Sequence, residues 1–297
     1  MPDKTERSAE GFLPPGVALP AGETQPKHGA SLWVRWRDPL TRVAIVVGVI
    51  AIWWFIAWLE IWNPIFVPTP MSVWDQLIKT STVHGQGGNT MRGYSGVMLY
   101  EHLWASIRRI LQGTAVAIVI GIPLGLLIGL SRPSRTVLDP PLTFIRSLPP
   151  LAYFSLLVIW FGIDETPKVA LLFLAALPPI VLATSDAVRN VSEDRVLALR
   201  TLGAARMQVV RYGVFPMVLP EVMTGIRVAV AFAFTTMVAA ETINGLPGIG
   251  GMVRDAQRFN QSDVVILGII IIGLCGIVLD GIIKIIDRVL VPWRGQL

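Results

Sequence analysis

The chain has 297 residues, 53% of them hydrophobic and 15% charged, with a net charge of +5 and a mean hydropathy of +0.61. Soluble domains carry about 25% charged residues, so this composition excludes an ordinary soluble globule and indicates a polytopic membrane protein. The single cysteine, Cys275, excludes a disulfide framework and a thiolate metal cluster, and the basic residues are too scattered among apolar runs to form a nucleic-acid patch.

Residues 1–40 are expected to be a disordered cytoplasmic tail, polar and rich in Pro and Gly at its start. No apolar stretch with a small-residue cleavage site marks a secretory signal there. Residues 41–297 then read as one all-α membrane domain.

A spanning helix needs about 20 apolar residues, and six such segments are predicted: 43–62, 110–130, 143–163, 169–188, 218–240 and 264–286. Residues 63–104 are too polar to span. Their pieces "MSVWDQLIKT" and "MLYEHLWASIRRI" are expected as short interfacial helices anchored by Trp74, Tyr100 and Trp104. The third span opens on Pro149–Pro150, so its helix starts after that pair or kinks there. Between spans five and six, "GLPGIGG" predicts a turn that positions a short helix over the mouth of the molecule. It is no phosphate cradle, because no strand precedes it and no Gly-Lys-Ser/Thr follows. No Walker sequence occurs anywhere, so the chain has no such means of hydrolysing ATP.

Lys and Arg distribution sets the orientation. With the N-terminus inside, seventeen basic residues fall on the cytoplasmic side and seven outside, with Arg227 inside span five. The C-terminus is then cytoplasmic as well. So is the segment 189–216, which carries Arg189, Arg195, Arg200, Arg206 and Arg211. It reads as two short helices, 196–202 and 204–212, broken at Gly203, with Pro216 and Pro220 marking the entry of span five. A basic loop that merely enforces topology is the plainer alternative.

Ionisable and polar groups in or near spans are candidates for a solute path. They are Arg227, Glu241, Thr235 and Thr236 around span five, with Tyr153 and Ser155 in span three. Against this, Arg227 can snorkel or cap a carbonyl, and Asp280 can pair with Lys284 at i,i+4. His28, His84 and His102 lie outside all predicted spans with no serine spaced to work with them. A Ser-His hydrolase or a His-metal site therefore finds no support, and no cofactor or metal is expected.

The spacing of Ala198, Gly203 and Pro216 resembles the cytoplasmic EAA loop of ABC-importer permeases. In that loop a Glu-Ala-Ala triplet precedes a glycine by four residues, and a proline follows thirteen later. The triplet positions here are Leu197-Ala198-Leu199, so the glutamate and the last alanine are absent, while Gly203 and Pro216 are in register. The resemblance extends over most of residues 40–297. "RSLPPLAYFSLLVIWFGIDETPKVALLFLAALPPI", "MVAAETINGLPGIGGMV" and "DRVLVPWRGQ" are similar to permeases of the taurine, aliphatic-sulfonate, nitrate and bicarbonate branch, most of all the taurine and sulfonate members.

This resemblance implies an inner-membrane permease of the type I ABC-importer fold that performs no bond chemistry itself. It implies a second copy of the chain and two ATPase subunits docked on a coupling helix, with Glu193, Asp194, Ala198, Arg200, Gly203, Arg206 and Pro216 at that contact. A periplasmic or lipid-anchored binding protein would deliver taurine or an alkanesulfonate, with nitrate or bicarbonate as the alternative. A secondary transporter or channel acting alone is the reading from another class.

Overall fold

The computed structural model describes residues 32–63, 65–85, 90–243, 245 and 247–293. The chain divides into two compact units, Met1–Ile52 and Trp53–Leu297. Helix α1 (Leu32–Trp58) carries the described part of the first unit and opens the second. It therefore begins inside the segment expected to be a tail. Residues 1–31 of that expectation lie outside the described residues.

Within the second unit, Thr69 caps α2 (Pro70–Ser81) by accepting the Ser72 N–H at 3.2 Å on its hydroxyl. Pro70 takes the first helical position, where no N–H is needed. Strands β1 (Val83–His84) and β2 (Met91–Arg92) pair antiparallel in a short hairpin. Helix α3 (Leu99–Leu130) follows, then α4 (Arg132–Ser147), α5 (Pro150–Phe161), α6 (Glu165–Arg189), α7 (Glu193–Thr201) and α8 (Arg206–Gln208). A π-helical stretch, Val209–Val214, joins α8 to α9 (Phe215–Ile243), and α10 (Ile249–Arg258) and α11 (Ser262–Leu290) complete the order.

Among the described residues, four helices are long and apolar enough to cross a membrane: Leu99–Leu130, Glu165–Arg189, the continuous rod Arg206–Ile243, and Ser262–Leu290. A fifth arises if α4 and α5, bent by 100° at their break, count as one span. The apolar stretch Val43–Trp58 is shorter, so six full-length spans are not all present as single helices. The bend has a simple cause. Pro149 and Pro150 both lack an N–H and push the preceding residue towards extended backbone, and Leu148 sits at φ −84°, ψ 131°. The helix restarts at Pro150, as the sequence suggested.

The second span differs more. "MLYEHLWASIRRI" is not a separate interfacial helix but the first turns of the 32-residue α3. Trp74, Tyr100 and Trp104 are nevertheless exposed, at 56%, 62% and 62%.

Helix α6 is central, packed between α3 and α9. Gly113, Gly121, Gly125 and Gly129 of α3 lie against Leu172, Ile180, Thr184 and Val188 of α6 at one constant offset, so the two helices run parallel. With Ala117, which is fully buried, they form a stripe of small residues at i,i+4. Such a stripe lets two helix backbones approach closely where apolar burial gives no preference over lipid. Helix α9 runs the opposite way, placing Gly225 against Pro179 and Ala183 of α6. The main core comprises Ile110, Ala117, Leu172, Ala176, Ile180, Ala229 and Met237 with their neighbours. Two ends result. One carries the starts of α3 and α6, the end of α9, and α10 and α2; the other carries α7, α8 and the π stretch.

Candidate functional site

At the second end, α7 stands out from the bundle. Glu193 and Asp194 occupy its first turn and Arg200 its last, the charge order that a helix dipole favours. Gly203 closes the helix at φ +82°. Its N–H donates to the Arg200 carbonyl at 2.9 Å, and the Ala204 N–H donates to the Leu199 carbonyl at 3.2 Å. This is the paired capping pattern that needs a left-handed residue, most often glycine. A Cβ at Gly203 would meet nothing within 4 Å, so the requirement is one of backbone conformation alone.

The inner face of α7, Val196 and Leu199, packs against Val188, Val209, Val214 and Val218. Gly213 lies beneath Leu199, where a Cβ would come within 2.3 Å of the Leu199 Cδ1. The other face is bare. Glu193, Asp194, Ala198, Arg200 and Arg206 are exposed, and Leu197, Leu202 and Met207 are 54%, 84% and 74% exposed. An apolar fringe around charges is the surface expected of an interaction site.

The helix predicted over 204–212 does not end before span five but runs into it as one rod. The π stretch absorbs the misfit: the Phe215 N–H bonds back to the Val210 carbonyl, and Pro216, which has no N–H, follows directly. Pro220 leaves the Pro216 carbonyl without its helical partner. The indole Nε1–H of Trp293 donates to that carbonyl at 3.3 Å, tying the "VPW" tail to the foot of the rod.

At the opposite end lies a buried charge cluster. The Arg109 guanidinium donates to Glu241, to both oxygens of Glu165 at 2.5 and 2.7 Å, and to the Pro247 carbonyl at 2.7 Å. Lys168 reaches Glu165 at 3.2 Å. Glu241 also accepts from the Ser106 hydroxyl at 2.8 Å and from the Gly250 N–H at 2.9 Å. The Ile249 N–H donates to Ser106 at 3.0 Å, and the Gly248 N–H to His102 Nδ1 at 3.1 Å.

The glycine turn thus cradles a carboxylate of its own chain. A Cβ at Gly250 would fall 2.6 Å from the Val238 carbonyl, and one at Gly251 2.1 Å from that of Gly245. His102, expected outside the spans, is buried in the long α3 and serves this turn.

Beside this cluster, α2, the hairpin and α10 border an open cleft of about 870 Å³ lined by Lys79, His84, Arg92, Tyr94 and Asp255, among others. Burial, reinforced by the neighbouring Asp255, pushes the Tyr94 hydroxyl up to about 12, so it stays protonated at neutral pH.

The six residues proposed for a solute path separate. Glu241 and Thr236 are buried, and Glu241 has its carboxylate fully engaged in the Arg109 cluster. Arg227 and Thr235 share the exposed face of α9, Ser155 is exposed on α5, and Tyr153 is half-buried. Arg227 reaches across to α11. It forms an ion pair with Asp280, which also holds Lys284 at i,i+4. Arg109, Glu165 and Ser106 carry no sequence signal because their partners lie far away along the chain, and Lys168 joins them only through Glu165, three residues before it.

The family described as "Binding-protein-dependent transport system inner membrane component" matches residues 121–291. The chain belongs to that family. The match takes in α7, Gly203, Pro216 and the Arg227–Asp280 pair, so this is an ABC-importer permease, an inner-membrane transport component. TauC of Escherichia coli (strain K12), a taurine transport system permease protein, is 38% identical over 89% of this chain and 94% of its own length. SsuC of Bacillus subtilis (strain 168), a putative aliphatic sulfonates transport permease protein, is 30% identical, covering 88% and 89%. CmpB of Synechococcus elongatus (strain ATCC 33912 / PCC 7942 / FACHB-805), a bicarbonate transport system permease protein, is 32% identical, covering 64% and 69%. The fold is similar to that of a chain in the inward-facing MetNI methionine ABC transporter, with a TM-score of 0.56 at 19% identity, over 65% of this chain and 95% of that one.

Proposed function

We propose that this permease imports a small organosulfonate of the taurine type, working as a homodimer driven by two ATPase subunits. The observation that carries the substrate class is the 38% identity to TauC over nearly the whole of both chains. Bicarbonate or nitrate is the second reading, supported by the shorter match to CmpB. The chain spans the membrane six times, with α1 and the bent α4–α5 pair completing the four long helices, and both termini face the cytoplasm.

In this reading a binding protein docks at the end formed by α2, the hairpin and α10. Helix α7 fits a cleft of the ATPase through Glu193, Asp194, Ala198, Arg200 and Arg206. ATP-driven closure of the ATPases pushes on α7, which bears on the rod through Leu199 and Gly213. The rod, tied at its foot by Trp293, carries the displacement into the membrane as rigid-body rocking. The solute path runs along the exposed face of α9, with Arg227 and Thr235 on it and Ser155 and Tyr153 nearby, while Glu241 and Thr236 brace the bundle behind it.

Growth of a strain lacking its own taurine permease, with taurine as sole sulfur source, tests the substrate. Complementation by this chain with its ATPase and binding protein is expected, and bicarbonate uptake without taurine uptake would overturn it. Gly203→Val tests the coupling role. A β-branched residue in left-handed backbone costs roughly 1–2 kcal/mol, enough to shift the α7 geometry by a factor of about 5 to 30. Uptake is expected to fall by that order while the amount of permease in the membrane stays constant. Normal uptake in that variant would exclude α7 as the coupling element.

A further inference from the structure

Arg227 lies twelve residues beyond the start of α9 at Phe215, about 18 Å along the axis. Asp280 lies ten residues before the end of α11 at Leu290, about 15 Å from it. Arg227 therefore sits well inside its apolar segment 218–240, and Asp280 lies six residues from the end of its segment 264–286. Their side chains, with that of Lys284, are 47%, 37% and 50% exposed on the surface of the single chain. A charge within a span is costly facing hydrocarbon, and such residues face water-filled cavities or protein. One strip of the surface beside them suits water, although Val228, Phe232, Ile277 and Val278 are exposed there too. Thr224, Arg227, Ala231 and Thr235 fall on one exposed stripe of α9, polar or small at each turn.

The geometry within the cluster is lopsided. Asp280 accepts Arg227 Nε at 2.6 Å on one oxygen and Nη2 at 3.1 Å on the other. The second oxygen also takes Lys284 Nζ at 2.8 Å. One carboxylate thus serves two cations, and the cluster carries one excess positive charge. Gly276, one turn from Asp280, lets Phe234 of α9 come within 3.3 Å of where its Cβ would be, so the two helices are close enough to hold this arrangement.

We propose that Arg227, Asp280 and Lys284 form an anion-exchange station on the translocation path. Asp280 occupies Arg227 while the path is empty. An arriving organic oxyanion, of the sulfonate class if the substrate reading holds, displaces the carboxylate from the guanidinium fork, and Lys284 keeps Asp280 compensated meanwhile. Arginine's planar fork matches such an oxyanion. The competing carboxylate keeps the stay short, since an uncompensated arginine would retain the anion. This inference rests on the permease reading of the chain and does not require taurine in particular.

The test uses the full chain assembled with its ATPases in nanodiscs, with Cys275→Ala removing the native thiol and Ala231→Cys placing a reporter one turn from Arg227. Its reaction rates with anionic 2-sulfonatoethyl and cationic 2-(trimethylammonium)ethyl methanethiosulfonate are each divided by the rate with a free thiol. The anionic reagent is expected to be favoured roughly fivefold, as one excess charge acting through water over about 8 Å implies. Arg227→Gln or Lys284→Gln should abolish that preference, and Asp280→Asn should increase it. Two results would overturn the station: no reaction with either reagent, or a preference that these substitutions leave unchanged.

In proteoliposomes with the binding protein added, Asp280→Asn should cut uptake of radiolabelled taurine about tenfold. If the parent complex takes up no taurine, the substrate assignment fails, and the labelling ratios still decide the station.

Discussion

Arg109→Ala is expected to lower the thermal midpoint of the purified permease by roughly 10 °C, corresponding to about 3–5 kcal/mol for a broken buried ion pair. The side chains of Arg109 and Glu241 are only 3% and 0% exposed. Removing the cation leaves Glu241 with Ser106 and one backbone N–H as its remaining partners. It also frees the Pro247 carbonyl and loosens the glycine turn above α10. Glu165→Gln should cost far less, about 1 kcal/mol or below, since that carboxylate is 59% exposed and its amide can still accept from Arg109. The double variant Arg109→Met/Glu241→Met should recover much of the loss, because replacing a buried pair by apolar volume removes the uncompensated charge. Scanning fluorimetry in nanodiscs gives all three midpoints. Equal effects of Arg109→Ala and Glu165→Gln would show that the cluster does not hold this end together.

That cluster also marks where sequence reasoning stops. The apolar run lengths located every long helix, and Gly203 marked the end of α7 because its role is local: the Arg200 and Leu199 carbonyls it helps to satisfy lie within five residues. The start of α3 was not legible in the same way. Glu101, His102, Ser106 and Arg109 make the stretch too polar for a span by composition, so it reads as an interfacial helix. It remains helical and packed because Gly248, Glu241 and Glu165 meet His102, Ser106 and Arg109 from 56 to 146 residues away, while Glu101 pairs with the nearby Arg92. No periodicity encodes such pairings. Pro216 was expected to mark the start of a span, and the π stretch before it absorbs the proline into a longer rod. The Arg227–Asp280 pair was hidden for a similar reason. Only the nearer partnership, Asp280 with Lys284, follows from spacing on one helix.

The α3–α6 seam is expected to respond strongly to a single added methyl group. At Gly125 a Cβ would lie 2.5 Å from the Thr184 Cβ and 2.8 Å from the Val181 carbonyl oxygen. Neither is the far end of a flexible side chain, so the helix backbones themselves must separate. Gly125→Ala should therefore cost about 1–3 kcal/mol by overpacking, and Gly125→Leu should leave no folded, monodisperse protein on size-exclusion chromatography. Gly273 of α11 supplies the control, since a Cβ there meets nothing within 4 Å. Gly273→Ala makes the same chemical change in a helix of similar character and should be neutral or slightly stabilising, because alanine is the better helix former by about 1 kcal/mol. If the two alanine variants unfold at the same temperature, close approach along Gly113, Gly121, Gly125 and Gly129 is not what holds α3 to α6. If they differ as expected, the stripe fixes the parallel pair against which the rod carrying Arg227 packs.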